Sequence, residues 1–267
     1  MIRTYWLILN LGIQNTLCYR VNFLVRTVFN LVPLLAFIIM WRAIYAGKGG
    51  EVSGYSLAEM ISYYLIVTVV ETITAVTEDD WQIAADIKDG LISQFLTRPI
   101  NYPCYRLCLF FAGRVVYVLA AFIPVGLFVF CNRHYLLAPP DALTCCWFAA
   151  SLLCSALLQF YLSYLVAMLA FWVLEISTFV FTLLALQRLA GGELFPLDLL
   201  PHWLTQALMW TPFPYAVFFP VSIYLGKVTG PDLAQGMLLQ VLWTAAVYGA
   251  ARWVWGRGLR TYTVVGG

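Results

Sequence analysis

Long apolar stretches are the feature that most restricts how this chain can fold. Six of them match or approach the roughly 20 residues that an α-helix needs to cross the hydrocarbon core of a bilayer. The predicted spans are 21–45, 57–76, 107–130, 142–170, 177–189 and 233–255. Only 10% of the 267 residues are charged, against about 25% in soluble domains, so a water-soluble fold could not cover its surface. The sequence therefore predicts an all-α membrane protein with six transmembrane helices.

The Lys and Arg residues predict the orientation of these spans. Six spans put both termini on one face of the membrane. The segments on that face contain Arg3, Arg20, Lys88, Arg98, Arg106, Arg252, Arg257 and Arg260, and those on the other face contain Lys48, Arg133 and Lys227, with Arg42 near the boundary. Because basic residues accumulate on the cytoplasmic side, we expect cytoplasmic termini. Segment 78–101 is then cytoplasmic and segment 193–226 external.

A polar island at 78–106 lies between two apolar runs, and it contains the predicted cytoplasmic segment 78–101. Asp79 and Asp80 precede a predicted helix at 81–88, where acidic residues favour an N-terminus, and Gly90 ends it. The helix has one apolar and one charged side. The pattern alone leaves two interpretations open, a helix that lies in a cleft on a partner protein and a solvated loop between two spans.

The remaining interrupted segments lie at the membrane surface. In residues 1–20, Tyr5, Trp6, Leu9, Ile13 and Leu17 fall near one helical face, which is typical of an interfacial helix. Segment 193–226 is rich in proline and aromatic residues and fits two short re-entrant helices on the external side. It could form an external gate or rest as an aromatic belt at the headgroups. The candidate gate residues are Phe195, Pro196, Trp203, Pro212 and Phe213.

Ionisable residues inside the spans are costly and often functional. Glu71 in the second span and Arg114 in the third could lie at the same depth on adjacent antiparallel helices. We expect an intramembrane ion pair between them, with a structural role favoured over a substrate site. The seven cysteines have no regular spacing, so no disulfide framework and no metal site is predicted.

Two classes of membrane protein fit the pattern less well. An enzyme embedded in the membrane would need catalytic pairs or acidic clusters with spacings that the chain lacks. A secondary transporter usually shows internal repeats and helices broken at mid-membrane, and neither is clear here. No G-x-x-x-x-G-K-[ST] loop occurs, since Gly47-Lys48 lacks the Ser or Thr. The chain is thus not expected to bind ATP or to act as an enzyme.

Three motifs carry a resemblance to a known family. They are DIKDGLISQFLTRPI at 86–100, AGGELFPLDLLPHWL at 190–204 and WTPFPY at 210–215. Each motif is degenerate, but their order along the chain resembles that of ABC-2 type transporter permeases, the transmembrane subunits of bacterial ABC exporters. The resemblance covers nearly the whole chain. It implies a single transmembrane domain over residues 1–267 in the bacterial inner membrane.

The resemblance also implies a mechanism and partners. The loop between the second and third spans would carry a coupling helix that docks on a separate cytoplasmic ATPase, which binds the ATP and Mg²⁺. The residues expected to couple to the ATPase are Asp79, Asp80, Trp81, Ile83, Ile87 and Lys88. The permease would pair with a second copy or with a related permease, and its small size favours the related one. The transported substrate stays open.

Overall fold

The computed structural model describes residues 2–18, 20–48, 51–76, 79–97 and 100–262. The described residues are predominantly helical, as predicted. Eleven α-helices follow one another within them: α1 Ile2–Leu17, α2 Arg20–Lys48, α3 Leu57–Thr74, α4 Asp79–Lys88, α5 Ser93–Leu96, α6 Tyr102–Cys131, α7 Ala142–Ala167, α8 Ser177–Ala190, α9 His202–Met209, α10 Phe218–Tyr224 and α11 Gly230–Thr261. Short 3₁₀ turns at Met168–Phe171, Leu197–Leu199 and Phe213–Tyr215 connect some of them.

Five helices in the described residues are long and apolar enough to cross a membrane, namely α2, α3, α6, α7 and α11. The remaining predicted span, 177–189, corresponds to α8, which is apolar but has only 14 residues. At 1.5 Å per residue, α8 is about 21 Å long, shorter than the roughly 30 Å of a hydrocarbon core. The count of six spans therefore stays a prediction.

Helices α3 and α7 form the centre of the bundle, and α2 and α11 lie at its edge. Met60, Ile61 and Leu65 of α3 are fully buried in the largest apolar cluster. Side chains at helix N-termini fix where the helices begin: Ser56 and Glu59 form a capping box on α3, and Asp141 accepts a hydrogen bond from the backbone N–H of Thr144 on α7.

Helix α1 packs along α6 at the end of the bundle that also holds α4. A Cβ added to Gly12 would lie 2.9 Å from the Ala112 Cβ of α6, so the glycine permits this close approach. Trp6, Leu7 and Leu11 remain exposed on the outer side of α1. An exposed apolar side suits a helix lying in the membrane surface, and that placement stays a prediction.

Helix α11 makes two close contacts through glycine. A Cβ on Gly236 would lie 2.2 Å from the Phe219 ring of α10, and one on Gly258 would lie 2.3 Å from the Phe171 ring. Real Cβ atoms do not approach a ring that closely, so any larger residue would force the helices apart. These two positions, which we call glycine notches, let α11 pack closely against the rest of the chain at both ends of the bundle. We call the end that carries α4 the α4 face and the other end the opposite face.

Candidate functional site

Helix α4 is a short amphipathic helix that packs on the end of α7 and on the 3₁₀ turn that follows it. Ile83, Ala84 and Ile87 point into the bundle, while Trp81, Gln82, Ala85, Lys88 and Asp89 form an exposed stripe. Gly90 then adopts φ +74°, and the backbone N–H of Leu91 donates to the Asp86 carbonyl at 3.0 Å. This is the hydrogen bond of a Schellman end, so Gly90 terminates the helix as predicted.

One buried arginine fastens α4 to α6. The Arg106 guanidinium donates to the Tyr102 hydroxyl at 3.0 Å, to the Gln82 side-chain oxygen at 3.1 Å and to the Gln82 carbonyl at 3.2 Å. It also forms an ion pair with Asp86, to which the Tyr102 hydroxyl donates at 2.6 Å. We call Arg106, Tyr102, Gln82 and Asp86 the arginine clamp. Because nearly all of the Arg106 side chain is buried, these bonds replace its hydration.

The predicted ATPase contacts divide between the two sides of α4. Trp81 and Lys88 lie on the exposed stripe, and the Trp81 ring also lies 6.3 Å from the Phe181 ring of α8. Ile83 and Ile87, in contrast, are 0% and 4% exposed within an apolar cluster. These two side chains are therefore not exposed in this conformation, and their predicted contact with the ATPase stays a prediction. An apolar side at helical spacing covers the chain's own core here.

The two acidic residues at the start of α4 also face inward. Asp80 is buried and Asp79 half-buried. Neither lies on the exposed stripe, so their predicted contact with a partner stays a prediction. Glu78, the first residue of the predicted segment, lies outside the described residues, as do Arg98 and Pro99.

A polar cavity of about 240 Å³ lies among α2, α3, α4, α6, α7 and α8. Its lining contains six ionisable side chains: Arg26, Glu71, Asp80, Arg114, Arg188 and Glu193. The coupling-segment residues Asp80 and Trp81 form part of the wall. A change in the position of α4 therefore changes the shape of this cavity directly.

The cavity brings together Glu71 and Arg114, the two residues of the predicted ion pair. Glu193, which follows α8, lines the same cavity as Glu71, and the Arg188 Nε lies 3.7 Å from a Glu193 oxygen. The sequence indicated Glu71 as one half of a structural ion pair but did not indicate Glu193. The ion pair between Glu71 and Arg114 stays a prediction.

Tyrosines at and near α3 hold the segment that follows α8. The Tyr63 hydroxyl donates to the Gly192 carbonyl at 2.5 Å, and the Tyr64 hydroxyl to the Leu194 carbonyl at 2.8 Å. Just before α3, the Tyr55 hydroxyl donates to the Asp198 carboxylate at 2.7 Å. Burial, together with the Asp198 charge, raises the pKa of Tyr55 well above its usual range. Tyr55 therefore stays a neutral donor.

A buried glutamine joins α7, α11 and the same segment. The Gln240 amide of α11 donates to the Tyr215 carbonyl at 2.9 Å, the Ser151 carbonyl at 3.1 Å and the Ser155 hydroxyl at 3.0 Å. Its oxygen accepts from the Ser151 hydroxyl at 3.0 Å. The amide is thus fully satisfied without water. Together with the tyrosines, it fixes residues 191–224 against the bundle.

Comparison with known protein families shows which family the chain belongs to. The model of the ABC-2 family transporter protein matches residues 31–266. The chain belongs to the ABC-2 transporter family. Members of this family are membrane subunits of transporters, generally without catalytic activity, and associate with an ABC ATPase. No curated protein and no solved structure matches the chain.

The predicted gate residues of this ABC-2 protein lie along the segment after α8. Pro196 and Pro212 each stand directly before a 3₁₀ turn, where the fixed φ of proline suits the turn. Pro196 is buried, Phe195, Pro212 and Phe213 are half-buried, and Trp203 is 70% exposed. The segment contains both buried and exposed residues, which is compatible with an external gate and with an aromatic belt at the headgroups. The gate role stays a prediction.

The described residues of the ABC-2 protein offer no group of three or more His, Cys, Asp or Glu side chains that could hold a metal ion. Its candidate chemistry lies instead in the charged cavity and in the exposed stripe of α4. The cavity can bind a polar group, and the exposed stripe of α4 can contact a partner protein.

Proposed function

We propose that this chain is the permease subunit of an ATP-binding cassette exporter in the bacterial inner membrane. A separate cytoplasmic ATPase docks on α4 and supplies ATP hydrolysis, and two permeases together form the translocation path. The observation that carries the proposal is α4 itself, a short helix with one side locked into the bundle and the other side exposed. Membership of the ABC-2 family supports the assignment.

The docking surface that we propose is the exposed stripe of α4. Trp81, Ala85 and Lys88 recur at helical spacing on its outer side and can lie in a groove on a partner, as amphipathic helices do. Of the contacts predicted from the sequence, this surface includes Trp81 and Lys88, and it has Ala85 in place of the buried Ile83 and Ile87. Docking of the ATPase at this surface requires that the α4 face and both termini lie in the cytoplasm.

The arginine clamp supports a role for α4 in transmitting movement of the ATPase to the permease. A push on the exposed stripe passes through Arg106 to α6, because the guanidinium bonds to residues of both helices. The same push moves Asp80 and Trp81 in the cavity wall. Movement of the ATPase can thus be transmitted to the translocation path by two routes, the arginine clamp and the cavity wall.

The size of the cavity supports a two-subunit path. One chain encloses only about 240 Å³ at this site, which suits a polar group but not a whole lipid or peptide. A second permease, related to this chain and not identical to it, supplies the rest of the path in our proposal.

The test is co-purification with a co-expressed candidate ABC ATPase. Ala85→Arg puts a large cation on the proposed docking surface without touching the core, and we expect ATPase retention to fall at least tenfold. Ala207→Arg is the matched control, since Ala207 is an exposed alanine on the short helix α9 at the opposite face. Equal retention by the two variants would contradict docking on α4.

A further inference from the structure

A second cavity, which the proposed function does not use, opens between α6, α7 and α11. Its volume is about 650 Å³. Its inner part is lined by apolar side chains, among them Leu107 of α6, Leu157 of α7, and Val241 and Ala245 of α11. It is an open cleft and not an enclosed cavity. We call it the α11 groove.

One end of the groove is polar and charged. Asn101, at the start of α6, and Arg252, near the end of α11, both lie there. Among the described residues that line the groove, Arg252 has the only ionised side chain. Its guanidinium is exposed and lies 3.5 Å from the Tyr248 hydroxyl, so it remains available at the mouth.

The depth of Arg252 matches a headgroup position. It lies 22 residues after Gly230, the first residue of α11, which is about 33 Å along the helix axis and close to one hydrocarbon thickness. Trp255, one turn further, lines the same end and stacks on Tyr102 with ring centroids 5.2 Å apart. Tryptophan at this level is typical of the membrane–water interface. The charged mouth is therefore at the α4 face, and the apolar part extends into the bilayer.

We propose that the α11 groove binds one anionic phospholipid from the leaflet at the α4 face. An acyl chain fills the apolar part between α7 and α11, and Arg252 takes the phosphate at the mouth. Charge complementarity selects an anionic lipid, because the groove offers a cation and no carboxylate in its described lining. Arginine suits this position, since its fork of N–H donors matches phosphate oxygens.

The proposal is tested by native mass spectrometry on the full-length chain in detergent. Phosphatidylglycerol and phosphatidylcholine with the same acyl chains are added, and the fraction of protein that retains each lipid is measured. We expect Arg252→Gln to weaken phosphatidylglycerol binding about fivefold and phosphatidylcholine binding less, because choline already offsets the charge on the phosphate of that lipid. Arg257→Gln is the matched control, because Arg257 lies on α11 outside the groove, over the Trp253 ring.

A second pair of variants tests the apolar part. Ala245→Trp and Leu157→Phe each fill the groove from a different helix, and either should reduce retention of both lipids. Two results would overturn the proposal. One is an equal loss in Arg252→Gln and Arg257→Gln, which indicates attraction to positive charge anywhere on the surface. The other is unchanged phosphatidylglycerol retention in whichever filled variant folds, judged by its elution as a single species.

Discussion

The two faces of the bundle hold their short helices by different chemistry. At the α4 face, α4 is fastened by the arginine clamp, in which an ionised guanidinium bonds to a carboxylate, an amide and a hydroxyl. Toward the opposite face, residues 191–224 are fastened by neutral donors, the hydroxyls of Tyr63 and Tyr64 and the amide of Gln240. In the second region, backbone carbonyls are the main acceptors.

The difference follows from the surroundings of each attachment. Helix α4 exposes one side, but the guanidinium that fastens it is buried, so its charge is balanced by Asp86 and by hydrogen bonds in place of water. Residues 191–224 bring many backbone groups against the bundle, and buried backbone groups must be satisfied by protein. Neutral side-chain donors do most of this without adding charge. The bundle thus combines an ionic attachment at α4 with a largely neutral one at residues 191–224.

The largest expected effect comes from breaking the ionic attachment. Arg106→Gln removes the ion pair and leaves the mostly buried Asp86 carboxylate without its cation, at a cost of about 3 kcal/mol. We expect hydrogen exchange of the α4 amides to rise strongly while the amides of residues 191–224 stay protected. Arg133→Gln, at the opposite end of α6 and exposed, should change neither. Uniform loss of protection in both regions would show that the two attachments are not independent.

The neutral attachment should fail by a smaller amount. Gln240→Leu removes the amide donor to the Tyr215 and Ser151 carbonyls and the acceptor of the Ser151 hydroxyl, which costs about 2 kcal/mol. We expect a lower Tm and faster exchange around Tyr215, with α4 unaffected. Gln235→Leu makes the same change at an exposed position of α11 and should leave the Tm within about a degree of the parent. A similar loss in both variants would mean that the buried network contributes nothing.

Within the neutral attachment, the tyrosine hydroxyls should contribute still less. Tyr63→Phe removes one donor to the Gly192 carbonyl and should cost about 1 kcal/mol. Tyr64→Phe should cost more, because the Tyr64 hydroxyl also accepts a hydrogen bond from the Trp41 indole at 3.0 Å. Thermal unfolding of the two variants beside Tyr248→Phe, which changes a more exposed tyrosine, measures the order. The reverse order would mean that the single bond from Tyr63 to Gly192 contributes more than the two bonds of the Tyr64 hydroxyl.

The smallest effect concerns a charged group at the opposite face. Hydrogen bonds from Thr144 lower the pKa of the exposed Asp141 carboxyl. A lowered pKa means that the cap stabilises α7 above the ordinary pKa near 4 and is lost as the pH falls through the folded value. We expect amide exchange at the start of α7, corrected for its intrinsic rate, to rise below about pH 4. Asp141→Asn keeps a capping oxygen and should remove this pH dependence; if it persists in that variant, the Asp141 charge is not its cause.

Sequence patterns predicted the architecture far better than the contacts within it. The apolar runs located the spanning helices and the polar island located α4, because length and composition decide both. The pattern could not say which partner covers the apolar side of α4: Ile83 and Ile87 serve the chain's own core. Nor could it find the arginine clamp, since Asp86 and Arg106 are 20 residues apart and only the turn between α4 and α6 brings them together. Nor could it place Glu193 beside Glu71 in one cavity, since the two residues are far apart in the sequence.

Helix α11 packs closely against the rest of the chain at two glycines. Its two glycine notches, at Gly236 and Gly258, are 22 residues apart, which is about 33 Å and close to six full turns. They therefore lie near the same side of the helix, and each receives one phenylalanine ring. A shift of α11 along its axis would carry both glycines away from their rings at the same time. Movement of α11 is thereby linked to Phe219 and Phe171, which lie at opposite ends of the bundle.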